Sequence, residues 1–194
     1  LNLVFVSKRS GAERLYESRR KSADGPFDPP VEVSFQPGFR QGGPWLSGDG
    51  LTLLFSAQDG DKRGIYETRR TDRGAAWGEP VRLGPDVNAL GNEFNPNVSA
   101  DGRTLVFASD RAGWLGGIDL YAARRATADG PFAAPVNLGP GVNGPDFEGS
   151  PRFGPDGRTL LYLRGIDTGK FEVRVAAPGP GDGWTSAAVA LPGG

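Results

Sequence analysis

Two glutamates occupy matching positions in the sequence, and their spacing allows acid–base or cation-binding chemistry. Glu93 lies three residues before Pro96, and Glu148 lies three residues before Pro151. A carboxylate pair brought together by the fold can bind a cation or a basic group, or act as acid and base on a glycan. The alternative is structural: each carboxylate accepts backbone N–H bonds that lock neighbouring repeats, while asparagines at 88 and 143 cap turns. Recurrence of the same residue type from repeat to repeat favours the structural role.

The sequence lacks two residue types on which much catalysis depends, because it contains no histidine and no cysteine. Without histidine there is no Ser-His or Cys-His relay, no imidazole metal ligand and no general base of the usual kind near neutral pH. Without cysteine there is no disulfide and no thiol chemistry. Only carboxylates, Lys, Tyr or an isolated Ser remain, so we expect no catalytic residues and no cofactor.

A short acidic loop, Asp59-Gly60-Asp61-Lys62, is the one segment that resembles a calcium-binding loop. A loop of the EF type needs a longer series of Asp or Asn closed by Glu, and this one stops at Lys62. We therefore predict an ordinary turn and no metal site.

The two glutamates belong to a segment that is repeated along the chain. One apolar strand pattern occurs at 52–56, 104–108 and 159–163, with a fourth copy at 1–6. Its aromatic residues, at 5, 55, 107 and 162, are 50, 52 and 55 residues apart. Two further strand patterns follow each copy, and in repeats two to four a proline-containing strand pattern precedes it, which gives four strands per repeat. Self-similarity at this period, with four strands in each copy, is typical of β-propeller blades.

We therefore predict an all-β fold, a β-propeller of four four-stranded antiparallel blades in a single domain, residues 1–194. The repeats span approximately 1–37, 38–88, 89–143 and 144–194. A tandem array of hairpin domains is the alternative, but about 50 residues is few for an independent core. The first repeat begins at its second strand, so blade one lacks its inner strand. Either upstream residues supply that strand, or another chain completes a larger ring; we favour a monomer over a homodimer with eight blades.

Two segments resemble a known family. The stretches NPNVSADGRTLVFASDR and GSPRFGPDGRTLLYLR are similar to the WD40-like (PD40) repeats of the TolB type, found in bacterial periplasmic proteins. The resemblance implies four-stranded blades with the proline-containing strand (Pro44, Pro96, Pro151) innermost, and a non-catalytic, extracytoplasmic binding role. The Trp-Asp and Gly-His dipeptides of eukaryotic WD40 repeats are absent, so the peptide sites of that subfamily are not carried over.

If the proline strand is innermost, the residues three before each proline converge at one mouth of the axial channel. Seven residues then form a candidate binding site: Gln41, Glu93, Asn95, Asn97, Glu148, Ser150 and Arg152. We predict that Arg152 pairs with one glutamate, because close carboxylates raise each other's pKa unless a cation intervenes. The mouth would then be mildly acidic and prefer cationic or amide-rich peptide segments.

Pairs of basic residues follow the third strand of three repeats, at 19–20, 69–70 and 124–125. One interpretation is a ring of basic residues that binds an anionic ligand. The other, which the recurrence favours, is that one arginine of each pair is solvated and the other covers an outer edge strand.

Charge and hydropathy limit the classes of partner that the chain is expected to bind. The net charge is −1 with no basic stripe, which disfavours nucleic acid. No apolar run approaches the ~20 residues of a membrane span, and no signal peptide is visible in the sequence. We predict a periplasmic or secreted, non-enzymatic binding or scaffold module that engages a protein or peptide at one face of the ring. The alternatives are a carboxylate-dependent glycan-processing propeller using Glu93 or Glu148, and a propeller fragment of a larger hydrolase.

Overall fold

In the computed structural model the chain forms four antiparallel β-sheets, or blades. The structure describes residues 1–35, 40–88, 91–113, 115–167, 169–179 and 183–189, without the side chains of Asp59 and Asp167, and these residues contain no helix. No helix of this part of the chain is therefore long and apolar enough to cross a membrane. The predicted repeat boundaries at 37–38 and at 89, and the segment 191–194, lie outside the described residues.

The strands follow the order of the sequence. Blade one contains β1 (Asn2–Ser7), β2 (Arg14–Arg19) and β3 (Val31–Glu32). Blade two contains β4 (Arg40–Leu46), β5 (Thr52–Asp59), β6 (Lys62–Arg69) and β7 (Val81–Arg82). Blade three contains β8 (Glu93–Val98), β9 (Thr104–Ser109), β10 (Asp119–Arg124) and β11 (Val136–Asn137). Blade four contains β12 (Glu148–Phe153), β13 (Leu160–Asp167), β14 (Lys170–Pro178) and β15 (Trp184–Ala188).

Within each blade the strands pair in sequence order, which confirms the predicted four-bladed propeller with three strands in blade one. The proline-containing strands β4, β8 and β12 are the inner edges of their sheets, and β8 lies between β4 and β12. Proline cannot donate to a ladder hydrogen bond, so an edge strand is where a sheet tolerates it. The innermost position predicted for these strands is confirmed. The outer strands β3, β7 and β11 are two residues long each.

Alternating side chains build three apolar layers between the blades. Blades one and two enclose a layer that includes Leu15 and Phe55. Blades two and three share Leu54 and Phe107, and blades three and four share Leu120 and Tyr162. Each blade alone is too small to bury a core, so each depends on its neighbours, as the repeat pattern implies.

Stacked aromatic pairs join β1 to β2, β5 to β6 and β9 to β10 in the first three blades. The ring centroids of Phe55 and Tyr66 are 6.0 Å apart, and those of Phe107 and Tyr121 are 6.1 Å apart. Blade four has Tyr162 opposite Arg174 instead. Its missing aromatic makes it the most divergent copy, as expected of a terminal repeat.

The basic pairs after the third strands are structural. Arg69 and Arg124 are exposed. The second arginine of each pair lies over the aromatic residue of its blade's last segment, with Arg70 at 4.1 Å from the Trp77 ring centroid and Arg125 at 4.2 Å from that of Phe132. At 69–70 and 124–125 one arginine is therefore solvated and the other packs on an aromatic ring, which agrees with the structural interpretation; at 19–20 Arg19 is partly buried and forms an ion pair with Glu17 at 3.1 Å.

Candidate binding site in the axial channel

A bulge at the proline of each inner strand sets the geometry of the channel. The strand register shifts between Gly42 and Trp45, between Phe94 and Asn97, and between Gly149 and Arg152. The residue before each proline has a left-handed backbone, with φ of 55° at Gly43, 50° at Asn95 and 54° at Ser150. A bulge inserts one extra residue, so the side chains after it point to the opposite face from the one that simple alternation gives.

Gln41, Glu93 and Glu148 lie before the bulges, and all three are buried. The Gln41 amide oxygen accepts a hydrogen bond from the Leu15 backbone N–H at 3.2 Å, which ties blade two to blade one. The two glutamates are fully enclosed, at 0% exposure. They do not face solvent at a channel mouth.

Each glutamate forms an ion pair with an arginine of its own blade, and we call these two pairs the carboxylate latches. Arg111 donates from Nη2 to Glu93 Oε1 at 3.1 Å and also to the Val87 carbonyl. Arg164 donates from Nε to Glu148 Oε1 at 2.8 Å and from Nη2 to the Val142 carbonyl. The Val87 and Val142 carbonyls belong to the segments that connect successive blades. The latches therefore hold each connection against the blade that follows it.

The latch of Glu148 also includes a backbone donor, because the Gly144 N–H donates to Oε2 at 2.9 Å. Asn88 and Asn143 reinforce the same connections. The Asn143 side chain accepts from the Leu120 N–H at 2.9 Å and donates to the Leu120 carbonyl at 3.0 Å. Asn88 makes the same pair of bonds with Ile65. These contacts support the structural role of the glutamates and asparagines, in which they hold neighbouring repeats together.

Burial shifts the protonation of both glutamates. Desolvation raises the pKa of Glu93 to about 7, although the charge and hydrogen bond of Arg111 lower it. The Oε2 atom of Glu93 is buried without a hydrogen-bond partner, which agrees with a costly negative charge. Desolvation also raises the pKa of Glu148, against the Gly144 N–H and Arg164, which lower it.

The predicted pairing of Arg152 with a glutamate is wrong. Both glutamates have their own arginines, and no described carboxylate forms an ion pair with Arg152. The guanidinium contacts only backbone carbonyls, those of Pro151 at 3.1 Å and of Pro96 and Pro44 at 3.5 Å each. These three carbonyls come from the inner strands of three blades, so the half-buried Arg152 lies on the axis of the channel.

The other predicted residues are beside Arg152. Asn95 donates from Nδ2 to Ser150 Oγ at 3.2 Å, and Asn97 accepts from the Phe153 N–H at 2.8 Å. Both bonds join blade three to blade four. The structure thus brings Asn95, Asn97, Ser150 and Arg152 together and separates them from Gln41, Glu93 and Glu148.

Burial lowers the pKa of Arg152, because no acidic group offsets its desolvation. An arginine titrates so far above neutral pH that it nevertheless keeps its positive charge. Chemically, the channel offers a fixed cation together with hydroxyl and amide groups, which suits a carboxylate or another anion.

A cleft of about 790 Å³ opens beside this group, on the face formed by the Asp-Gly turns of blades two, three and four. Asn97 and Phe153 are among its lining residues, whereas Arg152 itself is not. The turn carboxylates at this face are already bonded within their own turns: Ser99 donates to Asp101 at 2.6 Å, and the pKa of Asp101 is lowered by that bond and by the Arg103 N–H. The cleft has the volume of a typical ligand site.

Sequence reasoning did not identify Arg111 and Arg164 as the latch arginines. Both lie near the end of the second strand of their blade, Arg111 two residues after β9 and Arg164 within β13. An arginine recurring there, after each Glu-x-x-Pro, is the signal that would have pointed to them.

Comparisons with known proteins support the fold. No protein-family model matches the chain, and no curated protein matches it by sequence. Among solved structures, a TolB of Agrobacterium tumefaciens superposes with a TM-score of 0.63 at 16% identity, over 96% of this chain and 60% of that one. The α-L-arabinofuranosidase PaAbf62A of Podospora anserina has a TM-score of 0.63 at 17% identity, over 95% of this chain and 62% of that one. A puromycin-hydrolysing peptidase of Mycobacterium tuberculosis has a TM-score of 0.55 at 17% identity, over 98% of this chain and 30% of that one.

At these identities the likeness establishes a β-propeller and no more. The neighbours include both a TolB and enzymes, and the chain spans less than two thirds of the length of each of these three proteins.

Proposed function

We propose that this chain is a non-enzymatic propeller module that binds a protein or peptide segment through a carboxylate, with Arg152 as the anchor. The observation that carries the proposal is the environment of Arg152, a half-buried guanidinium that contacts three backbone carbonyls and no described carboxylate. Partial removal of a cation from water is costly unless an anion replaces the lost hydration. A ligand carboxylate would supply that compensation.

This proposal reverses the charge preference expected from the sequence. The acidic mouth that would attract cationic segments required Glu93 and Glu148 to face the channel, and both are enclosed in the latches. With these carboxylates withdrawn, Arg152 is the charge that the channel presents, and the neighbouring Ser150 and Asn95 add polar groups.

The same burial supports binding over glycan processing. An acid and base pair must reach a substrate, and Glu93 and Glu148 are both fully enclosed. The superposition on a TolB supports the propeller fold. Membership of the TolB-type repeat family and a periplasmic or secreted location rest on the repeat pattern of the sequence, and we retain both as part of the proposal.

A matched peptide panel tests the proposal. Labelled hexapeptides that differ only in one central residue, Asp, Asn or Lys, are titrated against the chain and followed by fluorescence anisotropy. We expect the Asp peptide to bind most tightly, and Arg152→Gln to weaken it about tenfold, as loss of a charge-assisted bond does. Arg158→Gln is the control, because Arg158 is exposed on the same blade.

Tightest binding by the Lys peptide, or equal binding by wild type and Arg152→Gln, overturns the carboxylate proposal. Enzyme activity is examined separately with a panel of glycosides. Turnover of any of them that Glu148→Gln abolishes would overturn the non-enzymatic assignment.

A further inference from the structure

Blades one and two form a groove beside the outer strand β3, and blades two and three form a smaller groove at the matching place. The first groove has a volume of about 510 Å³, and the second has a volume of about 260 Å³. Glu17 and Arg19 of β2 line the first groove, and Glu67 and Arg69 of β6 line the second. Because these are the same positions of successive repeats, the second groove shows what the first one lacks.

The arginines of the two grooves differ in their acidic partners. Arg69 binds two carboxylates: its Nε donates to Glu67 Oε1 at 2.7 Å, and its Nη1 donates to Asp129 Oδ1 of blade three at 2.8 Å. Arg19 donates from Nη2 to Glu17 Oε2 at 3.1 Å, and no second carboxylate among the described residues forms an ion pair with it. The arginine of the first groove therefore has one acidic partner where its counterpart has two.

A glycine explains the missing partner of Arg19. Gly74 lies three residues before Trp77, and Asp129 lies three residues before Phe132, so the two occupy the same position in their repeats. Glycine has no side chain, so the first groove lacks the carboxylate that fills this place in the second.

The walls of the groove come from the outer part of its two blades. Its described lining residues lie within residues 17–34 of blade one and 74–77 of blade two. In the second groove, β4, β5 and the turn between them contribute none of the described lining residues. The comparison of the two grooves therefore rests on the second-last and last strands of each blade and on the segment before the last strand.

The acidic residues near the first groove leave its positive charge available. Glu17 already shares its charge between two arginines, because Arg70 also donates to it at 3.1 Å. Glu32 accepts a hydrogen bond from the Tyr16 hydroxyl at 3.2 Å, and strand alternation places Tyr16 on the opposite face of β2 from Glu17. Asp28 lines the groove and is exposed, so it is the one acidic group that opposes the binding of an anion there.

The walls beside Arg19 are largely apolar. Val33 is buried, Trp77 is half-buried, and Pro29 and Val31 continue the same lining. Sites for small molecules have volumes in this range and combine apolar walls with a few polar groups. The groove therefore suits a ligand with one carboxylate and a compact apolar body.

We propose that the groove between blades one and two binds a small apolar carboxylate through Arg19. The ligand carboxylate takes the place that the Asp129 carboxylate takes in the second groove, and its apolar body packs against Val33 and Trp77. The charge-assisted bond orients the ligand, and burial of the apolar body adds affinity. The site is separate from the channel around Arg152.

The probe is 3-phenylpropanoate, and 3-phenylpropanamide, which has nearly the same shape without the charge, is its control. Each is titrated into the chain while the indole N–H signal of Trp77, assigned with Trp77→Phe, is followed by NMR. We expect the amide to bind about tenfold more weakly than the acid, and Arg19→Gln to weaken binding of the acid about tenfold. Arg124→Gln is the matched control, because Arg124 is exposed at the same strand position of blade three.

Substitution of Gly74 tests the place of the ligand carboxylate. A Cβ at Gly74 would meet only Asp72 Oδ1, at 3.1 Å, so the position has room for a side chain. Gly74→Asp should weaken binding of the acid about tenfold, because the introduced carboxylate competes for Arg19, whereas Gly74→Asn should weaken it much less. Asp28→Asn should strengthen binding, because it removes the opposing charge. Thermal melts establish that each variant is folded.

Equal binding of the acid and the amide overturns the proposal, as does unchanged binding to Arg19→Gln or an equal loss in the two Gly74 variants. Weaker binding to Asp28→Asn would show that the groove prefers a cation, and would overturn it too. A response of the Trp77 signal that Arg152→Gln abolishes and Arg19→Gln does not would assign the probe to the channel, and so would also overturn the proposal.

Discussion

Glu148 and Arg152 are four residues apart on the same inner strand, yet their electrostatic surroundings are opposite. Glu148 is fully enclosed and bonded to Arg164 and to the Gly144 N–H. Arg152 lies on the channel axis and contacts only carbonyl oxygens. On the side of β12 where blades meet, the negative charge of Glu148 is therefore paired with an arginine. On the side that faces the channel, the positive charge of Arg152 has no described carboxylate partner.

The bulge between the two residues separates these roles. Up to Gly149 the side chains follow one alternation, and after Ser150 they follow the other. A paired buried charge is expected of a structural contact, whereas an unpaired, half-buried charge is a candidate for ligand binding.

We expect the largest effect from removing the latch arginine Arg164, compared with removing the channel arginine Arg152. Arg164→Leu should lower the free energy of unfolding by about 3 kcal/mol, because it leaves Glu148 buried without its partner. Arg152→Leu should change that free energy by less than about 1 kcal/mol, because it leaves no carboxylate unpaired. Urea denaturation of both variants measures the two values. Equal losses would show that Arg152 is as structural as Arg164.

The pH dependence of stability tests the raised pKa of Glu93 in its carboxylate latch. The folded-state pKa of Glu93 is about 7, above its ordinary value of 4.5, so the folded state binds a proton more readily than the unfolded state. Its contribution to stability is complete below about pH 4.5 and is lost as the pH rises through 7. Between pH 5 and pH 7.5, wild type should lose about 2 kcal/mol more than Glu93→Gln, whose side chain does not titrate. Parallel pH profiles for the two proteins would contradict the raised pKa.

Two neighbouring glycines test the corresponding bulge in β4. Gly43 has φ of 55°, and a Cβ there would lie 2.7 Å from the Asn95 Cα. A Cβ at Gly42 would meet only the end of the Arg63 side chain at 3.1 Å, apart from an ordinary contact with Ser56 Oγ at 3.8 Å. Gly43→Ala should therefore destabilise the fold by about 1.5 kcal/mol more than Gly42→Ala. Thermal melts of both variants provide the measurement, and equal melting temperatures would remove the conformational requirement at 43.

Much of the fold was predictable because the repeats are local. The apolar strand patterns and the turns with Asp-Gly follow from short-range sequence signals, whereas the innermost position of the proline strand was implied by the family resemblance; the structure confirms all three. The missing inner strand of blade one was likewise visible in the alignment of the repeats.

The site was predictable only in part, and the bulge explains why. Strict alternation places Glu93, Asn95 and Asn97 on one face, and Glu148, Ser150 and Arg152 on one face. The extra residue at each proline moves the residues after it to the opposite face, so neither group of three stays together. The periodicity of the sequence does not indicate where such a bulge occurs. Gly43 and Asn95 are residue types that tolerate a left-handed backbone, and their alignment before proline was the available hint. The arginine partners of the glutamates come from other strands, so their pairing required the tertiary structure.

The central claim is that Arg152 binds a ligand carboxylate, and a double-mutant cycle measures this contact most directly. Isothermal titration calorimetry at low salt compares the Asp and Asn peptides with wild type and with Arg152→Gln. We expect a coupling free energy of about 1 kcal/mol between Arg152 and the peptide carboxylate, so that the preference for Asp over Asn disappears in the variant. A coupling free energy of zero, with the same Asp-to-Asn ratio in both proteins, would contradict the claim.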